Sequence, residues 1–194
     1  FFRFLWKRGL VGWREVRDSI GWVLRSAPPV SLHPLRERKL YLAGKTAADV
    51  RALAEEFCRS DLFPRVSRQG LSCMDDHRRA GHHIVMVTGS LDFLIAPLAT
   101  LLEVPTLLAA RLEQQQHHFT GRVCAPLPYG PGKRELITQL TQDSGIDLAQ
   151  SFAYGDSPGD VELLAMVGHP LVVNPIRGMD RIAQRNGWPT ATWI

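Results

Sequence analysis

Asp156 and Asp160 stand four residues apart across a Ser-Pro-Gly turn in the stretch SFAYGDSPGD, residues 151–160. Pro158 suits the first position of a helix, where its missing N–H is not needed, and Ser157 suits the cap before it. The stretch reads as strand, tight turn and helix start, with Asp156 at the carboxyl end of the strand and Asp160 in the first helical turn. Two carboxylates this close repel unless a proton or cation compensates them. A hard divalent cation such as magnesium takes oxygen ligands of this kind. Two solvated aspartates complementing a helix dipole would have the same spelling. Two further junctions carry polar groups. Thr88-Gly89-Ser90 follows an apolar run and offers hydroxyls and backbone N–H groups, which bind an anion where they open a helix and otherwise serve as a plain cap. Lys133 follows the turn Gly130-Pro131-Gly132 and falls in the first turn of a predicted helix. A cation there opposes the helix dipole; a bound phosphate would justify it, and a solvated surface charge is the simpler reading.

The elements that position these groups can be read from the spacing of apolar residues. Strand-length runs at 82–87, 106–110, 151–154 and 171–173 alternate with helical patterns over 71–80, 91–102, 133–141, 158–166 and 179–185. Residues 112–123 resemble a hairpin edge, and 188–194 a last edge strand. This alternation predicts an α/β fold, a three-layer Rossmann-like parallel sheet whose ligands gather at the carboxyl ends of the strands. Residues 1–65 read as a helical subdomain, and residues 66–194 as the α/β core. Within the former, Phe2, Leu5 and Trp6 form one apolar face, and Val16, Ile20 and Val23, with Trp13 and Trp22 nearby, form a second. Pro28-Pro29 breaks the chain, a third short helix spans 35–42, and a fourth, capped by Thr46, runs over 46–58. The aromatic, basic start (Phe1, Phe4, Trp6, Lys7, Arg8) is read as packing between helices in preference to an interfacial membrane helix.

A chain of 194 residues with 45% apolar and 22% charged residues has room for one sizeable domain with a modest insertion. The net charge is +4, yet the basic residues are dispersed and form no tract with interleaved aromatics, so a nucleic-acid partner is not expected. A mildly basic protein suits an anionic small substrate. Cys58, Cys73 and Cys124 are odd in number and form no C-x-x-C, which argues against a disulfide scaffold or zinc site and for a reducing, cytoplasmic setting. No stretch approaches the apolar length that spans a bilayer.

Taken together, the order of these junctions resembles the haloacid dehalogenase-like phosphohydrolases, in the phosphoserine-phosphatase-like branch with a helical cap. VMVTGS resembles the second motif of that superfamily, PGKRELI the third and YGDSPGD the fourth, and the segments Leu163–Gly168 and Leu171–Pro175 also match. The resemblance implies that Thr88, with the Gly89 and Ser90 amides, holds the transferring phosphoryl group and that Lys133 neutralises phosphate and nucleophile. It implies that Asp156 and Asp160 belong to a magnesium site, Asp156 as ligand and Asp160 as its supporting carboxylate. The implied activity is magnesium-dependent hydrolysis of a small phosphorylated metabolite through an aspartyl-phosphate.

Two departures shape the expectation. The first motif of the family, an apolar strand ending D-x-D-G-T that supplies the attacking aspartate, has no counterpart: no D-x-D occurs, and Asp75-Asp76 are adjacent within a helix. The nucleophile and the central strand of the sheet are therefore expected upstream of residue 1, leaving the chain alone inactive. Gly159 stands where phosphoserine phosphatases of this branch usually carry Asn, which weakens phosphoserine as the substrate. Arg36 or Arg38 could meet a substrate carboxylate, though solvated helix charges are the simpler reading. The alternatives are a phosphotransferase or lipid-phosphate phosphatase of the same family, peripheral membrane contact being disfavoured, and a degenerate module that binds phosphate or a partner without turnover.

Overall fold

The computed structural model describes residues 1–26 and 37–193, with the side chains of Ser19 and residues 22–26 outside the description. The breaks expected at Pro28-Pro29, the site candidate Arg36, and the Trp22 and Val23 side chains thus lie outside the described residues. The described strands form three sheets: a pair, β1 (Val85–Leu91) and β2 (Thr106–Ala110); a hairpin, β3 (Leu112–Gln115) and β4 (His118–Val123); and a three-stranded sheet in the order β5 (Phe152–Gly155), β6 (His169–Val173), β7 (Thr190–Ala191). Both pairings in the last sheet are parallel, so the fold is mixed α/β as the alternation predicts. The chain divides into two compact units, one of residues 1–65 with 90–127 and the other of residues 66–89 with 128–194.

The first unit is built on helices α1 (Phe2–Lys7), α2 (Trp13–Ser26), α3 (Ala47–Phe57) and α5 (Asp92–Leu101) with the β3–β4 hairpin. Leu5, Leu42, Ala54 and Cys58 are fully enclosed, and Phe119 of β4 packs against Phe93 with ring centroids 5.1 Å apart. Phe4 of α1 meets Phe57 of α3 at 5.2 Å, the contact that the packed-helix reading of the N-terminus anticipates. Of the third helix expected over 35–42, the described part keeps helix only at Glu37. Arg38 forms an isolated bridge with Arg122, and only Leu40–Leu42 closes into a single 3-10 turn. Gly121, at φ +82 with a carbonyl and Ala43 close to where a Cβ would stand, lets this segment lie beside β4. The hairpin turns at Gln116 and His117, both at positive φ, without the Asn-Gly spelling that advertises such a turn.

The second unit carries the parallel sheet. Helix α4 (Arg68–Arg79) starts earlier than its apolar spacing suggests because Ser67 caps it, accepting from the Gly70 N–H at 3.4 Å. Helices α6 (Pro131–Ser144), α7 (Val161–Leu164) and α8 (Met179–Asn186) complete it. Leu164, Val172, Met179 and Ala183 are fully buried, with Ala153 of β5 against them, the apolar seam expected where helices cover a parallel strand. The helix predicted over 158–166 is instead a 3-10 turn, Pro158–Asp160, followed by the single turn of α7. Beyond it Gly168 passes close to Ala149, where a Cβ would stand 1.8 Å from the Ala149 carbonyl.

The other face of β5 is tied to α4 by polar groups. Cys73 Sγ donates to the Tyr154 hydroxyl at 3.2 Å, that hydroxyl meets His77 Nε2 at 2.7 Å, and His77 Nδ1 meets His82 Nδ1 at 2.8 Å. A neutral chain satisfies every link in one direction, with Tyr154 donating to a bare Nε2 and His77 donating through Nδ1. Burial, followed by the neighbouring His82, holds the His77 imidazole below its ordinary pKa, Asp76 opposing weakly. The strand that leads into Gly155-Asp156 is fixed in this way from the helix side.

Candidate functional site

Val87, Thr88 and Gly89 at the end of β1, Pro128, Tyr129 and Lys133 around the start of α6, the turn from Gly155 to Asp160, and Asn174 after β6 line a cavity of about 480 Å³ within the second unit. Five of the six residues singled out from sequence, Thr88, Gly89, Lys133, Asp156 and Asp160, are brought together there. Ser90 is not among the lining residues; it is exposed, and the division between the units falls just before it. The expected helix N-terminus at Thr88-Gly89-Ser90 is corrected. These residues continue β1, and α5 begins only at Asp92, whose carboxylate accepts from the Phe93 N–H at 2.7 Å.

Lys133 is not the solvated charge that its position in a first helical turn suggests. Pro131 opens α6, Gly130 turns the chain at φ +52, and the lysine side chain runs inward, leaving the residue 7% exposed. Its ammonium donates to Asp160 Oδ1 and to the Val87 carbonyl, the latter at 3.3 Å. Asp160 is equally buried at 7% exposure. Its second oxygen, Oδ2, accepts from the Asp156 N–H at 3.2 Å, the Ser157 N–H at 3.1 Å and the Ser157 hydroxyl at 3.0 Å. Burial alone would push this carboxyl up, but the Lys133 ammonium and the Ser157 donors outweigh it and hold it below the ordinary carboxylate value.

These contacts separate the two aspartates. Asp160 spends both oxygens on protein donors and fixes the backbone of Asp156 and Ser157. The Asp156 residue is exposed to the cavity, and no contact of its carboxylate with a described residue is recorded. It is held through its backbone instead, its carbonyl accepting from the Ile176 N–H at 2.8 Å. An open carboxylate beside a buried ammonium fits an oxygen-coordinated cation that also faces an anion. No cluster of three or more metal-binding side chains occurs among the described residues, so Asp156 fits as one ligand of a set that these residues do not complete.

The turn depends on two close approaches. A Cβ on Gly155 would stand 2.6 Å from Asp160 Cβ, and one on Gly159 would stand 2.4 Å from the Tyr129 ring. The Gly130 N–H also donates to the Gly159 carbonyl at 3.1 Å. The departure from Asn at position 159 thus has a physical counterpart: Tyr129 takes the room that a side chain would need. Tyr129 and Asn174 are site residues that the sequence reading missed. For Asn174 a signal existed, since Asn before Pro tolerates the positive φ of +48 found there. For Tyr129 there was none, because its partner lies 30 residues away. Arg38, the described one of the two candidate substrate arginines, stands in the first unit beside Arg122.

The sequence pattern of the haloacid dehalogenase-like hydrolases matches residues 1–165. The chain belongs to that family. A probable phosphatase of Mycobacterium tuberculosis is 32% identical over 151 residues, covering 78% of this chain and 52% of that protein. An inhibition of morphological differentiation protein from Streptomyces azureus is 30% identical over 97% of this chain and 70% of its own length. A crystal structure of a Bordetella pertussis protein of unknown function superposes with a TM-score of 0.82 at 29% identity, covering 97% of this chain and 88% of the other. The chain spans about half the length of the mycobacterial relative.

Proposed function

We propose that the haloacid dehalogenase-like chain carries most of the active site of a magnesium-dependent phosphatase acting on a small-molecule phosphomonoester. The observation that carries this reading is the buried Lys133–Asp160 pair, which fixes the turn while Asp156 stays open to the cavity that Thr88 also lines. The name borne by the mycobacterial relative supports the reaction class. Asp156 holds the cation from this side and Asp160 supports it through the backbone. When bound, magnesium neutralises charge on the phosphoryl oxygens. Lys133, the Thr88 hydroxyl and the Gly89 amide bind the oxygens on which charge gathers in the transition state, while Ser90, expected to join them, is left out because it does not line the cavity. Residues 1–65 serve as helical cap, and the phosphohydrolase core expected over 66–194 is taken as residues 66–89 and 128–194, because residues 90–127 belong to the compact unit of residues 1–65; the three free cysteines suit a cytoplasmic setting.

The attacking aspartate of this mechanism is not within residues 1–194, which contain no D-x-D. The sheet topology supports the same view. β1 and β5 end at one cavity yet belong to different sheets, and one more strand is what a continuous sheet needs. We assign the nucleophile to that strand. The test is magnesium-dependent turnover of p-nitrophenyl phosphate by this chain and by a polypeptide extended through the in-frame upstream sequence. Turnover is expected only from the extended form, and Lys133→Ala is expected to lower it by about 10²–10³-fold, as for one preorganised charge contact. Turnover by residues 1–194 alone would show that the nucleophile is misplaced. The missing D-x-D also favours a second reading, a module that binds phosphate without turnover, which an inactive extended form would promote.

A further inference from the structure

We propose that the face formed by α1 and α2 docks onto an anionic lipid surface. The inference does not depend on the catalytic reading, because it rests on the first unit alone. Trp13 is 77% exposed, Ile20 54% and Phe2 38%, although packing between helices is the role their spacing suggests. Trp13, Val16 and Ile20 fall on one side of α2 at three- and four-residue intervals. Trp6 meets Trp13 edge-on at 5.3 Å and Phe2 at 6.1 Å, and Phe2 meets Tyr41 at 5.3 Å. The exposed Phe2 and Trp13 are thus linked through half-buried Trp6, which packs on the core below them, and Trp13 leads onto the apolar side of α2.

The charge beside these residues is predominantly basic, although Arg8 is paired with Glu56. Residues 1–26 carry six basic and two acidic side chains, an excess equal to the +4 of the whole chain. Both acids are compensated locally: Glu15 accepts from the Gly12 N–H at 2.9 Å and pairs with Lys45 at 3.3 Å, and Asp18 pairs with Arg17 at 3.4 Å. Arg3, Lys7 and Arg14 are exposed, and no carboxylate partner is recorded for them among the described residues. A protein interface core tends to exclude unpaired cations of this kind. Tryptophan and isoleucine flanked by unpaired Arg and Lys are the composition of a helix lying in the plane of a membrane interface, where headgroup phosphates take the cations and acyl chains the apolar residues. The 14 residues of α2 make a helix about 21 Å long, and no described helix is long and apolar enough to cross a bilayer, so this contact lies on the surface.

Co-sedimentation with phosphatidylcholine vesicles, with and without phosphatidylserine, tests the proposal. The protein is expected to pellet with the phosphatidylserine vesicles at low salt and to be released at high salt as the charges are screened. Trp13→Ser and Ile20→Ser are expected to abolish pelleting with unchanged helical circular dichroism. Arg14→Gln is expected to weaken it about fivefold, the share of one interfacial cation. Three results would overturn it: protein left in the supernatant with every vesicle, equal pelleting of Trp13→Ser, or a vesicle-free dimer dissolved by Trp13→Ser, which would give the face to a second copy of the chain.

Discussion

Asp156 and Asp160 look alike in sequence and do different work, and substitution separates them. Asp160→Asn leaves the buried Lys133 ammonium without its counter-charge. Loss of about 3–5 kcal/mol of stability is expected, the usual effect of breaking a buried pair from one side, read from chemical denaturation. Asp156→Asn should change stability by less than about 0.5 kcal/mol and, in the extended form, abolish calorimetric magnesium binding. Equal destabilisation by both would contradict the division of roles. The Asp160 carboxyl is depressed in the fold, so its contribution is fully present above its unfolded value of about 3.9 and is lost as pH falls through the lower folded value. That Thr88, Lys133 and Asp156 meet at one cavity was legible in sequence because each sits at a junction at the end of a strand or the start of a helix. That Lys133 is buried against Asp160, and that Tyr129 closes on Gly159, was not legible, since both are contacts between separate turns.

At the level of elements, the helices with strong apolar spacing and clear stops were legible: α3, α4, α6 and α8 lie within a few residues of where the sequence puts them. The elements that departed did so for tertiary reasons. β1 continues through Thr88-Gly89-Ser90 because a polar spelling at a strand end does not by itself open a helix, and residues 38–42 gave up helical spacing to lie beside β4. The link from α4 to β5 through His77 and Tyr154 carries its own pH dependence. Because the His77 pKa is lowered on folding, the unfolded chain binds the proton more readily. Stability from this group is present above the unfolded value of about 6.5 and declines as pH falls below it towards the lower folded value. His77→Asn should flatten that part of the stability profile, measured by denaturation between neutral and mildly acidic pH; an unchanged slope would show that the link does not titrate with folding.

For the whole molecule, the two hydrophobic clusters share no residue: one is built around Leu5, Leu42 and Phe119, the other around Leu164, Val172 and Met179. Two separate cores favour unfolding in more than one step. Leu164→Ala, at a fully buried site, is expected to remove about 2–5 kcal/mol from one transition and leave the other in place, while Leu42→Ala does the reverse. Calorimetry that shows a single transition moved by both would argue for one cooperative unit. The division of the sheet has a further effect away from any catalytic event. β5 lies at one end of its three-stranded sheet, so among the described strands the second unit presents an edge able to template another strand. Any strand that paired there would act as a guard on solubility, occupying an edge that otherwise recruits neighbouring copies into aggregates.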